Sequence, residues 1–173
     1  MIYFKEYPEF QPNLTPQDIF LQGSFGGTYF RPIYSSVNNK KYKNRHKKYT
    51  FLKHIDNEIL TKDFENYDKS INKYKVKVGT TLEYWENKNW IDSRHPYGWV
   101  EWYCDFYSGK RSPDDKRQIQ RWLKTAGPNS RFRKRLINMI KQKKKNFDDY
   151  SVSPKIRQTL LHWAYELTKA DIN

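Results

Sequence analysis

HPYGWVEWYCDFYSGKRSPDDKRQIQRWLKTAGPNSRFRKRLINMIKQKKK, residues 95–145, is the stretch on which the fold class turns. Its first third is aromatic, with Tyr97, Trp99, Trp102, Tyr103, Phe106 and Tyr107 inside eleven residues. Two periods fit that third. Trp99, Trp102, Tyr103 and Phe106 recur at helical spacing, whereas Val100, Trp102, Cys104 and Phe106 alternate as in a strand. Gly109 stands where a helix C-cap belongs and decides for helix.

The remainder reads as a pair of helices. Ser112-Pro113-Asp114-Asp115 opens the first, whose apolar side is Ile119, Trp122, Leu123 and Ala126, with Arg117, Arg121 and Lys124 in a stripe roughly opposite. Gly127-Pro128 stops it, and Asn129 or Ser130 can cap the second helix. Phe132, Leu136, Met139 and Ile140 share one face of that helix. Lys143 would fall on the same face, which ends the helix near Gln142. At 100° per residue, Arg131, Lys134, Arg135, Asn138, Lys141 and Gln142 occupy one sector of about 120°.

Charge is concentrated in this pair. From Lys110 to Lys145 there are fourteen Lys and Arg against Asp114 and Asp115, a local +12 in a chain whose net charge is +14. A cationic surface that one-sided points to a polyanion, and among polyanions to nucleic acid, DNA ahead of RNA. Two geometries fit. A helix-turn-helix would place the second helix in a major groove, with Asn138 able to pair an adenine edge and the arginines gripping phosphate or guanine. An ordinary helical hairpin would instead carry a solvated basic face.

Working outward, the length of 173 residues suits one domain, and mean hydropathy of -1.07 leaves little aliphatic core material. Aromatic residues make up 17% of the chain, so the core is expected to be built from rings. Residues 1–14 read as an extended arm. Thr15-Pro16-Gln17-Asp18 starts a short helix that Gly23 ends. GSFGGTYFRPIY, residues 23–34, is expected as a tight glycine turn leading an aromatic strand into the core. Arg31 beside it keeps anion binding open, although no Gly-Lys-Ser/Thr ending of a nucleotide-binding loop is present. Residues 38–50 form a basic loop in which Lys40, Lys41, Lys43, Arg45, Lys47 and Lys48 are interleaved with Tyr42 and Tyr49, either a solvated run or a second phosphate-contacting arm. A short helix is expected around 56–65, an extended piece over 74–79, and a helix from the Thr80–Glu83 capping box to about Trp90. Ser153-Pro154 begins the last helix, to about Lys169, with Ile156, Leu160, Trp163, Ala164 and Leu167 on its apolar face.

GSFGGTYFRPIY and PYGWVEWYCDFYSGKRSPDDKRQIQRW, residues 96–122, resemble motifs of an uncharacterised protein family of fungi, other eukaryotes and large DNA viruses. The similarity runs from Pro12 to about Leu167 and is most variable between Asn44 and Asp68. No established activity comes with that family, so the resemblance implies no function.

Catalytic candidates are sparse. His46, His54, His95 and His162 lack zinc spacing, and a single cysteine argues against a structural zinc site and rules out an intramolecular disulfide. Cys104 among aromatic residues reads as inert packing ahead of a nucleophile partnered by His95. Asp114-Asp115 reads as helix capping ahead of a divalent-metal site. Glu101 and Asp105, four apart on the aromatic helix with Arg94, Lys110 and Arg111 nearby, are the best catalytic pair, and exposure or pairing with Arg94 or Lys110 is the plainer reading.

The expectation is therefore a mainly α single domain with an aromatic core, a basic helix-turn-helix-like pair and an extended Gly-containing N-terminal segment. It would bind nucleic acid through phosphates, without metal or cofactor. An enzyme acting on nucleic acid and a basic structural or packaging protein are the alternatives. No apolar run spans a membrane, and MIYFKEYPEF has no signal-peptide core, so an intracellular place in nucleus or cytoplasm is expected, with a virion left open.

Overall fold

The computed structural model describes every residue from Met1 to Asn173 and is mainly α-helical. Six α-helices occur in chain order: α1 Pro16–Gln22, α2 Leu82–Asn87, α3 Trp99–Tyr107, α4 Asp115–Ala126, α5 Arg131–Lys143 and α6 Pro154–His162. One antiparallel hairpin joins β1, Ile33–Ser35, to β2, Lys40–Tyr42, in the register Ile33–Tyr42, Tyr34–Lys41 and Ser35–Lys40. None of the helices is long and apolar enough to cross a membrane.

The aromatic third of the central stretch is α3, and it is the hub. All its residues except Asp105 and Tyr107 are buried, including Glu101 and Cys104. The expected arm supplies the hub's main partner. Phe10 is 1% exposed and sits with its ring centroid 5.2–6.2 Å from those of Trp99, Trp102, Tyr103, Phe106 and Trp122. Burying rings brings their polar tips inside, and each finds an acceptor. Trp102 donates its indole N–H to Asp115 at 2.8 Å, Trp99 to the Gln118 carbonyl at 3.1 Å, and Trp122 to the Trp163 carbonyl at 2.7 Å. The Tyr103 hydroxyl donates to the Leu14 carbonyl at 2.7 Å. These bonds set α4 and the arm against α3, and the chain after α6 against α4. Asp115 accepts from the Ser112 amide as well, so one carboxylate both starts α4 and anchors the core.

Gly23, Gly26 and Gly27 all take positive φ, and the reason is close backbone approach. A Cβ on Gly23 (φ +106°) would lie 2.0 Å from the Ile71 carbonyl oxygen, and one on Gly26 would lie 2.5 Å from the Tyr67 ring. That contact lets residues 23–30 pair with 60–73 through backbone bonds: Phe30 to Leu60, Lys62 to Gly27, Asp68 to Gly26 and Lys73 to Gly23.

Several expectations fail for identifiable reasons. Residues 56–65 form only 3-10 turns, Asn57–Ile59 and Phe64–Asn66, because this segment's backbone groups bond the glycine turn. Of the aromatic segment after that turn, residues 28–32 are not strand and only Ile33 and Tyr34 enter β1, and residues 74–79 pair with no strand. Residues 38–50 are no simple loop, since they contain β2 and the 3-10 turn Arg45–Lys48. Thr81, not Thr80, caps α2, which ends at Asn87, and the Thr80 hydroxyl accepts from the Trp85 indole instead. α6 stops at His162, seven residues early. Ala164 takes φ +59°, and its carbonyl receives the amides of Asn13 and Leu14 from the arm. On α5, Leu136 and Ile140 are buried but Phe132 is 42% exposed. The buried side is rotated towards Arg133, whose guanidinium stacks 4.0 Å from the Tyr165 ring centre and pairs with Asp171 at 2.8 Å.

Candidate nucleic-acid interface

α5 carries the cationic sector as the spacing predicts. Arg131, Lys134, Arg135, Asn138, Lys141 and Gln142 are all exposed, and none of the four cations is in an ion pair. The Ser130 hydroxyl caps the helix by accepting from the Arg133 amide, and α4 packs along the opposite side. α5 contains no acidic residue, so nothing within the helix neutralises the sector.

The α4 stripe divides. Lys124 is exposed, but Arg117 and Arg121 fold back onto the loop before α3. Arg117 pairs with Asp114 at 2.5 Å, and both arginines donate to the Trp90 carbonyl. Arg121 lies 5.6 Å from the Trp90 ring centre and 5.3 Å from that of Trp163. Burial, with the neighbouring charge of Arg117, pulls its pKa down to about 10, so it stays cationic at neutral pH.

The 40–48 segment divides in the same way. Lys40, Lys41, Lys43 and Lys47 are exposed and in no ion pair. Arg45 pairs instead with Glu101 at 2.5 Å, and Lys48 lies 3.8 Å from Asp105, which Lys110 approaches to 3.6 Å. Asp105 thus joins the basic segment of the first half of the chain to the start of the basic stretch of the second.

Glu101 and Asp105 do face the same way, but their environments differ. The Glu101 side chain is fully buried between Arg45 and the Tyr97 amide. Asp105 accepts from the Tyr49 hydroxyl at 2.7 Å and lies 2.9 Å from Nε2 of His95. Partial burial raises its pKa, but the His95 and Tyr49 bonds and the charge of Lys48 outweigh that and hold the carboxyl well below the usual range. An ionised Asp105 fixes the proton on Nε2 and leaves Nδ1 of His95 buried without a partner. Arg94, His95, Lys110 and Arg111 line a cleft of about 250 Å³. Asp92, one ring nitrogen of His95 and Asp114 bring potential metal-ligand atoms within 4.8 Å of one another. Both carboxylates are already held by guanidinium groups, Arg94 on Asp92 and Arg117 on Asp114, so the cluster is an ion-pair network. Cys104 is fully buried, and burial pushes its thiol pKa well up, as inert packing requires.

Sequence reading missed a larger feature. A cavity of about 340 Å³ lies among the glycine turn, the 64–91 segment, the start of α3 and the end of α6. Four of the six tryptophans line it, Trp85, Trp90, Trp99 and Trp163, together with Phe25, Phe64 and Tyr67. Arg31, Lys77 and Arg121 are its cations, and no carboxylate lines it. His162 lies in its wall, stacked on Phe25 with ring centroids 3.8 Å apart. Its Nε2 accepts from the Phe25 amide and faces the Gln158 amide nitrogen at 3.0 Å, which assigns the proton to Nδ1. Phe25 itself has φ +56°, a strained value for an aromatic residue, and the strain lies in the cavity wall. The only sequence signal was Arg31 beside the glycines, because the other residues meet only through tertiary contacts.

The glycine turn is not a phosphate cradle. Its amides are consumed internally: Phe25 bonds His162, Gly26 bonds Asn72, Gly27 bonds the Ser24 carbonyl and Thr28 the Phe25 carbonyl. No protein-family model, curated protein or solved structure matches the chain, so what can be said of function rests on this geometry.

Proposed function

We propose that the protein binds nucleic acid through its backbone phosphates, with α5 as the principal contact surface and duplex DNA as the preferred partner. The observation that carries this is the cationic sector from Arg131 to Lys141, exposed and free of ion pairs, whereas Arg45, Arg117 and Arg133 are committed to carboxylates inside the fold. Unneutralised cations on one rigid helix repel one another, and a polyanion relieves that repulsion while releasing its own counterions. Lys40, Lys41, Lys43 and Lys47 form a second arm, and exposed Lys124 is the contribution of α4. In the finer form of the proposal α4 and α5 act as a helix-turn-helix, and Asn138 meets an adenine edge in the major groove.

The test is a fluorescence-anisotropy titration of labelled duplex in dilute salt. The variant carrying Arg131→Ala, Lys134→Ala, Arg135→Ala and Lys141→Ala should lose at least tenfold in affinity at unchanged thermal stability. Equal affinity in the variant would refute the assignment of α5.

A second reading, an enzyme acting on nucleic acid, has one observation in its favour. His95 is oriented by Asp105 and lines a cleft whose Arg94, Lys110 and Arg111 could hold a phosphodiester. Labelled DNA and RNA incubated with Mg2+ or Mn2+ should then be cut by the wild type and left intact by His95→Gln. Cleavage that persists in this variant would remove His95 from consideration.

A further inference from the structure

The aromatic cavity is distinct from the α5 surface and has a chemistry of its own. Its faces are flat rings, which favour a planar guest over a flexible chain. Three cations sit on those rings: Arg31 lies 5.1 Å from the Phe64 ring centre, Lys77 lies 4.6 Å from that of Tyr67, and Arg121 lies between Trp90 and Trp163. Aromatic cages for cationic ligands attract positive charge through their ring faces. Here the protein's own cations already lie against those rings, which disfavours a further positive charge, and no carboxylate is present to attract one. The guest must therefore be aromatic and anionic. At about 340 Å³ the cavity lies at the small end of ligand sites, about 300–1,000 Å³, with room for one ring system and its substituent. His162 adds a neutral Nδ1–H donor with no acceptor in the protein.

We infer that this cavity binds a single nucleobase with its attached phosphate, the base stacked among Trp90, Trp163 and Phe64 and the phosphate held by Arg121, Arg31 and Lys77. The inference extends the nucleic-acid reading to a second site that shares no residue with α5. The same chemistry is offered by a free mononucleotide and by an unpaired residue of a strand, which enters the pocket out of its stack.

The probe is 2-aminopurine, whose fluorescence is quenched by stacking. It is supplied as the riboside 5′-monophosphate, within an eight-residue single strand in which abasic residues flank it so that no neighbour quenches it beforehand, and within the matching duplex. Saturable quenching of the monophosphate identifies a free-nucleotide site; quenching confined to the single strand identifies an unpaired-residue site. Unlabelled nucleotide should displace the probe, whereas ribose 5-phosphate, inorganic phosphate and dodecanoate should not. Trp90 and Lys77 are exposed at the mouth, so Trp90→Ala and Lys77→Ala should fold and weaken the quenched species at least fivefold each. The α5 quadruple variant should bind the probe as the wild type does, so failure at one site is separable from failure at the other. No quenching of any form at millimolar concentration would overturn the inference. So would equal displacement by phosphate or dodecanoate, or quenching unaffected by Trp90→Ala.

Discussion

Arg45 and Glu101, fifty-six residues apart, form a 2.5 Å ion pair in which the carboxylate is fully buried and the guanidinium is 22% exposed. A cation from the basic segment is thereby spent on the fold, and the acid that seemed a catalytic candidate is sealed inside it. Removing one partner of such a pair leaves an uncompensated charge in a low-dielectric site. Arg45→Met should cost about 3 kcal/mol or more, read as a lowered urea midpoint at unchanged slope. Adding Glu101→Gln to Arg45→Met should restore part of the loss. A neutral Arg45→Met would show that the pair does not support the fold.

Phe10 tests whether the N-terminal arm belongs to the core. Its ring is enclosed by two tryptophans of α3 and one of α4. Phe10→Ala should destabilise by about 3–5 kcal/mol, the usual cost of deleting a buried ring. Loss of less than about 1 kcal/mol would place the arm outside the cooperative unit.

Much of this architecture was legible in the sequence, but unevenly. Local signals were read well. Thr15-Pro16 and Gly23 bound α1, Gly109 closes α3, and the 120° sector of α5 survives intact because an exposed cationic face needs no partner to define it. Non-local pairing was invisible. Nothing near Arg45 names Glu101, and one arginine of α5, Arg133, was indistinguishable from its neighbours although it docks the C-terminal turn. The 56–65 segment has helical spacing but spends its backbone bonds on the glycine turn. The aromatic cavity is assembled from five separate pieces of chain, so no window of sequence contains it.

Histidine burial gives the protein an acid-sensitive stability. His162 is buried and its pKa falls to about 3, and burial, with the charge of Lys47, lowers that of His46 too. The unfolded chain protonates these rings below about pH 6.5, the folded chain only at lower pH, so the unfolded state binds more protons in between. Stability should therefore fall as pH drops from about 6.5 towards 3, by up to about 1.4 kcal/mol per pH unit for His162. Asp105, held below the carboxylate range, adds a further loss below about pH 4. Urea midpoints measured from pH 7 to pH 4 should show a shallower decline in His162→Gln. Identical slopes would mean that His162 titrates normally in the folded protein.

Asn138 separates groove reading from backbone gripping. If α5 lies in a major groove, Asn138→Ala should cost about 1–3 kcal/mol on the preferred site and little on other sequences. A selection experiment with randomised duplexes would show this as lost preference at one position. A uniform effect, or none, would mean that the helix pair contacts phosphates without reading bases.

The salt dependence of duplex affinity tests the central claim most directly. If α5, Lys124 and the 40–47 arm together neutralise about six phosphates, log affinity against log salt should fall with a slope near -5. The α5 quadruple variant should reduce that slope by about three to four. A flat salt response in the wild type, or no binding in dilute salt, would contradict the account.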